Sequence, residues 1–149
     1  RIESARDMLA AVDAALPADA AIFAAAVADF RPDTAPTQKI KKQQGAPPPE
    51  LRLTLNPDIL ATVASHPTLR PRLVIGFAAE TEAVVEHAQQ KRLRKGCDWI
   101  VANDVSGDVM GGAENTVHLV TATGVEDWPR MPKDEVARRL AQRIAETLS

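Results

Sequence analysis

Apolar and polar residues along this chain follow two periods, and the switches between them mark its elements. After Ser4, a residue type that caps helix N-termini, Met8, Leu9, Val12 and Leu16 recur at helical spacing, and Pro17 and Asp19 close the segment. A helix is therefore expected to about Leu16. From Ala20 to Val27 the run is short, unbroken and apolar between turn signals, which predicts a buried strand. Its alanines suit helices packed closely on both faces, although alanine propensity by itself favours a buried helix. Arg31 to Glu50 is irregular, with Pro32, Pro36, Gly45 and the triplet Pro47-Pro48-Pro49, and cannot be helix or central strand throughout. Long loops of this kind in a compact domain are usually functional lids or disordered segments. We expect a flexible flap over about 31–50.

Leu51 to Leu55 alternates as a short strand. Asn56-Pro57-Asp58 predicts a helix start, with Asn56 as cap and Pro57 in the first helical position, running to about Ser65. Leu73 to Ala78 reads as a second buried strand. Glu80 and Glu82 open the next helix, where acids suit the positive dipole end, and Gly96 ends it after Lys95. Asp98 to Ala102 is a third buried strand, with Asn103-Asp104 at its C-terminal end. Val105 to Asn115 is Gly-rich and loop-like. Thr116 to Thr121 and Gly124 to Trp128 predict a hairpin, and Pro132 leads into a final helix striped with Val136, Leu140, Ile144 and Leu148. Strands alternating with helices predict an α/β, Rossmann-like fold: a largely parallel sheet flanked by helices, with a C-terminal antiparallel addition. Such sheets place ligands at strand C-terminal ends, where Asp29, Ala79-Glu80 and Asn103-Asp104 are expected.

Composition narrows the classes. The 149 residues make most simply one domain with a sizeable core. Aromatics are 3% with no tyrosine, so packing rests on Ala, Val, Leu and Ile. A net charge of −2 argues against a nucleic-acid binder using its whole surface, so any anion site must be a local cluster. Cys97 is the only cysteine, which rules out an intrachain disulfide and fits a reducing, cytoplasmic compartment. No apolar run is long enough to span a membrane.

Neither G-x-G-x-x-G nor G-x-x-x-x-G-K-[ST] is present, so the Gly-rich cradles of dinucleotide sites and P-loops are missing. Cys97, His66, His87 and His118 show no metal-ligand spacing, and no metal ligands are assigned. Cys97 reads as a small buried hydrophobe and the histidines as surface or packing residues. Asp29, after a run of small apolar residues, fits a turn acid bonding its own backbone; it equally suits a sugar, a base or a metal-bound water. Lys39, Lys41 and Lys42 are either a solvated charge run or mobile cations that close on phosphates. Val84, Ala88, Lys91 and Lys95 share one helix face. The two lysines either compensate the helix C-terminus or reach a shared cleft, and spacing does not decide between them.

Six blocks, in order, carry a resemblance that covers almost the whole chain. They are FAAAVAD (23–29), KIKK (39–42), NPDIL (56–60), GFAAET (76–81), Lys91-Arg92 with Lys95 and Asp98, and ANDV (102–105). The chain resembles phosphopantothenate–cysteine ligase, the CTP-dependent synthetase of coenzyme A biosynthesis. That enzyme joins 4′-phosphopantothenate to cysteine through an acyl-cytidylate, with CTP and Mg²⁺. The resemblance implies a CTP site built from Phe23, Ala24, Ala25, Asp29, Lys39, Pro57, Asp58, Ile59, Leu60, Phe77, Lys91 and Lys95, with Lys39 as the catalytic cation. It further implies a homodimer, a flavin decarboxylase domain in the parent chain, and a Gly-rich strand–loop–helix ahead of Arg1. Phe30 stands where the family has Tyr or Trp. The competing expectations are a CTP-binding or dimerisation fragment without turnover, and a Rossmann-like oxidoreductase.

Overall fold

The structure is a computed structural model that describes residues 1–34, 50–105 and 114–149. The first helix, α1 (Ala5–Ala15), starts as expected at Ser4. A capping box closes its N-terminus: the Ser4 hydroxyl accepts from the Asp7 N–H, and the Asp7 carboxylate accepts from the Ser4 N–H at 3.0 Å. The chain then forms β1 (Ala20–Phe23), β2 (Phe30–Pro32), β3 (Leu53–Leu55), α2 (Ile59–Ala64), β4 (Leu73–Glu80), α3 (Val84–Lys95), β5 (Trp99–Asp104), β6 (Glu114–Val120), β7 (Val125–Pro132) and α4 (Lys133–Leu148). A five-stranded sheet has the order β1-β4-β5-β6-β7, and β2 and β3 form a separate two-stranded ribbon. In the larger sheet β1, β4 and β5 are parallel, while β6 and β7 are antiparallel additions. The expected α/β class, with its C-terminal antiparallel addition, is the one found.

Successive strand residues point to opposite faces, and each face has its own core. Leu73, Ile75, Val101, Val117, Leu119 and Trp128 face α4, where Val136 and Leu140 cover them and Ile144 and Leu148 complete the stripe. Val74, Ala78, Ile100, Ala102 and Val120 face the other way, with Ala64 of α2, Ala88 of α3 and Cys97 packed against them. Each fully buried Val, Leu or Ile contributes about 1.5–3 kcal/mol. Asp98 locks the sheet's entrance. It takes two 3.0 Å hydrogen bonds from Arg70 and one of 2.7 Å from the Val74 N–H. Gly76 brings α2 close: a Cβ there would lie 2.6 Å from Leu60 Cδ2 and 2.9 Å from Ile100 Cδ1.

Three local expectations need correction. The strand from Ala20 stops at Phe23 instead of Val27. It is an edge strand paired with β4, with Ile22 half exposed, and not one sandwiched between helices. Beyond Phe23, Ala25, Val27 and Ala28 line a cavity and are not in the sheet. The cap of α2 is Asp58, not Asn56: the Asp58 carboxylate accepts from the Ala61 N–H at 3.1 Å, and Pro57 precedes the helix. Asn56 instead bonds the Ala28 carbonyl. Glu80 does not open α3, since it ends β4 opposite Asp104. That helix instead starts after Ala83, whose left-handed backbone (φ 44°) turns the chain, and ends as expected at left-handed Gly96.

Candidate functional site

A concavity of about 520 Å³ opens at the C-terminal ends of β1 and β4. Its apolar walls come from several elements. Phe23 ends β1, Phe77 lies in β4, and Ile59 and Leu60 begin α2. Gly76 allows Leu60 to seat against the sheet, which brings the start of α2 next to Phe77. Ala25 and Asp29 enter from the segment between β1 and β2, and Pro57 and Asp58 from the approach to α2. Lys91 and Lys95 reach in from the last turns of α3. Both lysines thus line one cleft, and Lys95 also stands in the last turn of α3.

Asn56 is the bracket that holds two of these segments together. Its side-chain amide donates to the Ala28 carbonyl at 2.8 Å and to that of Phe30 at 3.4 Å, and its backbone N–H donates to the Asp29 carbonyl at 2.8 Å. Asn56 thus ties the two segments together, and α2, which begins at Ile59, is capped by the adjoining Asp58. Asp58 in turn bridges two helices: one oxygen caps α2 and the other accepts from the Lys95 ammonium. Partial burial pushes the Asp58 carboxyl up. The hydrogen bonds from Lys95 and the Ala61 N–H, with the charges of Lys95 and Arg94, outweigh it and hold the group below the usual carboxylate range. Lys91 makes no ion pair among the described residues, so its charge is available to a ligand.

Of the residues expected at a nucleotide site, Ala24 does not line the cavity, and Lys39 lies outside the described residues, as do Lys41, Lys42 and most of the expected flap. Sequence reasoning missed Met8, Phe30, Leu55 and Asn56, which also line it. Met8 sits on the apolar stripe of α1, and a stripe reads as core; here α1 buries no residue fully. Cys97 behaves as expected. It is buried, burial pushes its thiol up, and it belongs to the core on the α2–α3 side of the sheet. Among the described residues no group of three or more His, Cys, Asp or Glu side chains converges on a metal position.

An apolar slot beside two ammonium groups and a helix start suits a flat ring attached to phosphates. The family described as DNA/pantothenate metabolism flavoprotein C-terminal domain matches residues 1–148. The coenzyme A biosynthesis bifunctional protein CoaBC of Escherichia coli (strain K12) is 41% identical over 148 residues, which cover 96% of this chain and 36% of that protein. Its counterpart in Vibrio cholerae is 40% identical over 129 residues, covering 85% of this chain and 32% of that protein. The chain thus spans about a third of the length of these relatives. Among solved structures, the crystal structure of the C-terminal domain of CoaBC superposes with a TM-score of 0.76 at 35% identity, covering 99% of this chain and 64% of that one.

Proposed function

The chain belongs to the DNA/pantothenate metabolism flavoprotein C-terminal domain family, and on that premise we propose that it is the ligase domain that joins 4′-phosphopantothenate to cysteine at the expense of CTP in coenzyme A biosynthesis. The observation that carries this reading is the 520 Å³ pocket, which gathers Phe23, Asp29, Phe77, Lys91 and Lys95 from four separate stretches of chain. The cytidine lies against Phe23, Phe77 and the start of α2. The triphosphate faces Lys91 and Lys95. Binding phosphate in place of Asp58 frees Lys95 from its internal partner, so the pocket holds a cation ready without leaving it unpaired beforehand.

The 4′-phosphopantothenate carboxylate attacks the α-phosphorus, the bond to the β-phosphate oxygen breaks, and pyrophosphate leaves with its electron pair. The cysteine amine then attacks the acyl carbon of the cytidylate, loses a proton and expels CMP. Lys91 and Lys95 stabilise the charge that passes onto the pyrophosphate. Lys39 is assigned the same task in the transition state. Mg²⁺, which binds through one or two carboxylates plus phosphate oxygens, supplies further charge neutralisation. The Asp29 carboxylate, in the pocket and without a hydrogen bond among the described residues, fits as its protein ligand. We further propose a homodimer, a flavin decarboxylase domain elsewhere in the parent polypeptide, and a cytoplasmic location. The dimer is supported by the exposed apolar residues Phe30, Leu53 and Leu55 of the β2–β3 ribbon, and the location by one free buried cysteine. No helix among the described residues is long and apolar enough to cross a membrane.

Calorimetric titration with CTP and then ATP, each with Mg²⁺, tests the reading. CTP is expected to bind in preference to ATP, and Lys91→Ala to weaken it about tenfold, as for loss of one charge-assisted contact. In the same series Lys39→Ala is expected to keep CTP binding within a few-fold and lose most turnover. Equal or tighter binding of ATP, or no binding of either, overturns the proposal.

A further inference from the structure

The end of α3 carries Lys91, Arg92, Arg94 and Lys95, and their charges act on different sides of the helix. The charge of Arg92 acts on the Cys97 thiol, on the sheet side. Lys91 and Lys95 line the pocket. Arg94, three residues on from Lys91, is its neighbour on the helix surface. Its side chain is exposed, and its charge acts on Asp58 at the N-cap of α2. Lys95 already holds Asp58 in a direct ion pair. Arg94 meets no carboxylate within ion-pair distance among the described residues. Asp58 thus has one cation in contact and an unspent one nearby.

We propose that Arg94 is a positioning residue for the nucleotide: as Lys95 passes from Asp58 to the phosphates, the Arg94 guanidinium takes its place against Asp58. The inference rests on the ligase reading, in which Lys95 leaves Asp58 for a phosphate. Asp58 is not free to follow, because its other oxygen accepts from the Ala61 N–H at 3.1 Å and caps α2. Its side chain is 44% exposed and lies in the wall of the pocket that takes the triphosphate. Without a cation this carboxylate would face the incoming phosphates, and like charges a few ångströms apart repel. An arginine suits the exchange. Its side chain is long and always charged, and its planar fork can bond both oxygens of a carboxylate. Arg94 itself touches no part of CTP. It acts through Asp58, which stays ionised and keeps capping α2 while Lys95 is given up to the ligand.

A double-mutant cycle, read by calorimetric titration with CTP and Mg²⁺, tests the exchange. The four proteins are the wild type, Arg94→Gln, Asp58→Asn and the two changes together. Asparagine still caps a helix, so α2 keeps its start while the charge that needs a partner is gone. Arg94→Gln is expected to weaken CTP binding about tenfold with Asp58 in place, and by less than about twofold in the Asp58→Asn background. Arg94→Lys should restore part of the loss. An equal loss in both backgrounds would mean that Arg94 meets the phosphates itself. No loss in either would leave it a surface charge that only offsets the helix dipole. Both results overturn the exchange, and because CTP still binds in each, the ligase reading stands. A wild type that binds no CTP removes the ligase reading and the exchange with it.

Discussion

The five-stranded sheet and the two-stranded ribbon use the same kinds of residue to opposite ends. In the sheet, Val74, Ile75, Ile100, Val101, Val117 and Leu119 have no exposed surface. In the ribbon, Phe30 is 57% exposed, Leu53 59% and Leu55 67%. The ribbon's register pairs Phe30 with Leu55 and Pro32 with Leu53, so all four lie on one face. The difference follows from layering. The sheet has helices over both faces, whereas a two-stranded ribbon covers only itself and is marginal alone. The ribbon is held by polar ties at its base, where Asn56 grips Ala28 and Phe30 and Arg31 grips Leu55. Its apolar face therefore contributes little to folding of a single chain, and contiguous apolar surface of this kind marks an interaction site.

The contrast is broken most strongly on the sheet side. Trp128 is 1% exposed, in the core under α4, with the Arg139 guanidinium 4.8 Å from its ring centre. Trp128→Ala is expected to destabilise the chain by about 3–5 kcal/mol in urea unfolding, the range for emptying a large aromatic site. Its indole N–H has no hydrogen-bond partner among the described residues. Trp128→Phe therefore gives up no hydrogen bond, and its loss should be well under half of that. Gly76→Ala comes next. The new methyl meets the ends of the Leu60 and Ile100 side chains, and Ile100 is fully buried. Leu60, only partly buried, must yield toward the pocket. A cost of about 1–2 kcal/mol is expected, together with weaker CTP binding in the titration. A variant that loses stability and keeps CTP affinity would show that Leu60 gives way in another direction.

The same contrast explains what could be read from the sequence. The central strands were legible because burial on both faces demands unbroken apolar runs, as in Leu73 to Ala78 and Trp99 to Ala102. The α4 stripe was legible because one buried helix face imposes its period. The ribbon was only half legible. Leu53 to Leu55 alternates, but Phe30 to Pro32 is three residues long and contains a proline, and its pairing is fixed by Asn56, a tertiary tie with no local signature. The start of α2 was misplaced for a related reason. Asn56 and Asp58 are both good caps, and the residue types alone do not say that the helix begins only at Ile59. In the site, the blocks around Asp29, Asp58 and Phe77 pointed to residues that do converge. Met8 and Leu55 gave no signal, because a half-covered helix stripe and a short exposed strand look like ordinary packing.

The smallest effect on stability is expected on the ribbon, and it is the most informative. Leu53 and Leu55 are more than half exposed, so Leu53→Ser with Leu55→Ser removes little buried area. The loss in a dilute, monomeric sample should stay within about 0.5 kcal/mol, as for surface substitutions generally. If the apolar face is where two copies meet, as the proposed homodimer requires, the same pair of changes should shift the oligomer to monomer in sedimentation at micromolar concentration. Apparent stability would then fall only at concentrations where the wild type is assembled, because association stabilises the folded chain by mass action. Unchanged sedimentation would remove the ribbon from the dimer contact. A large loss of stability in the monomer would mean instead that the ribbon's face is covered by its own chain, and that ribbon and sheet belong to one core after all.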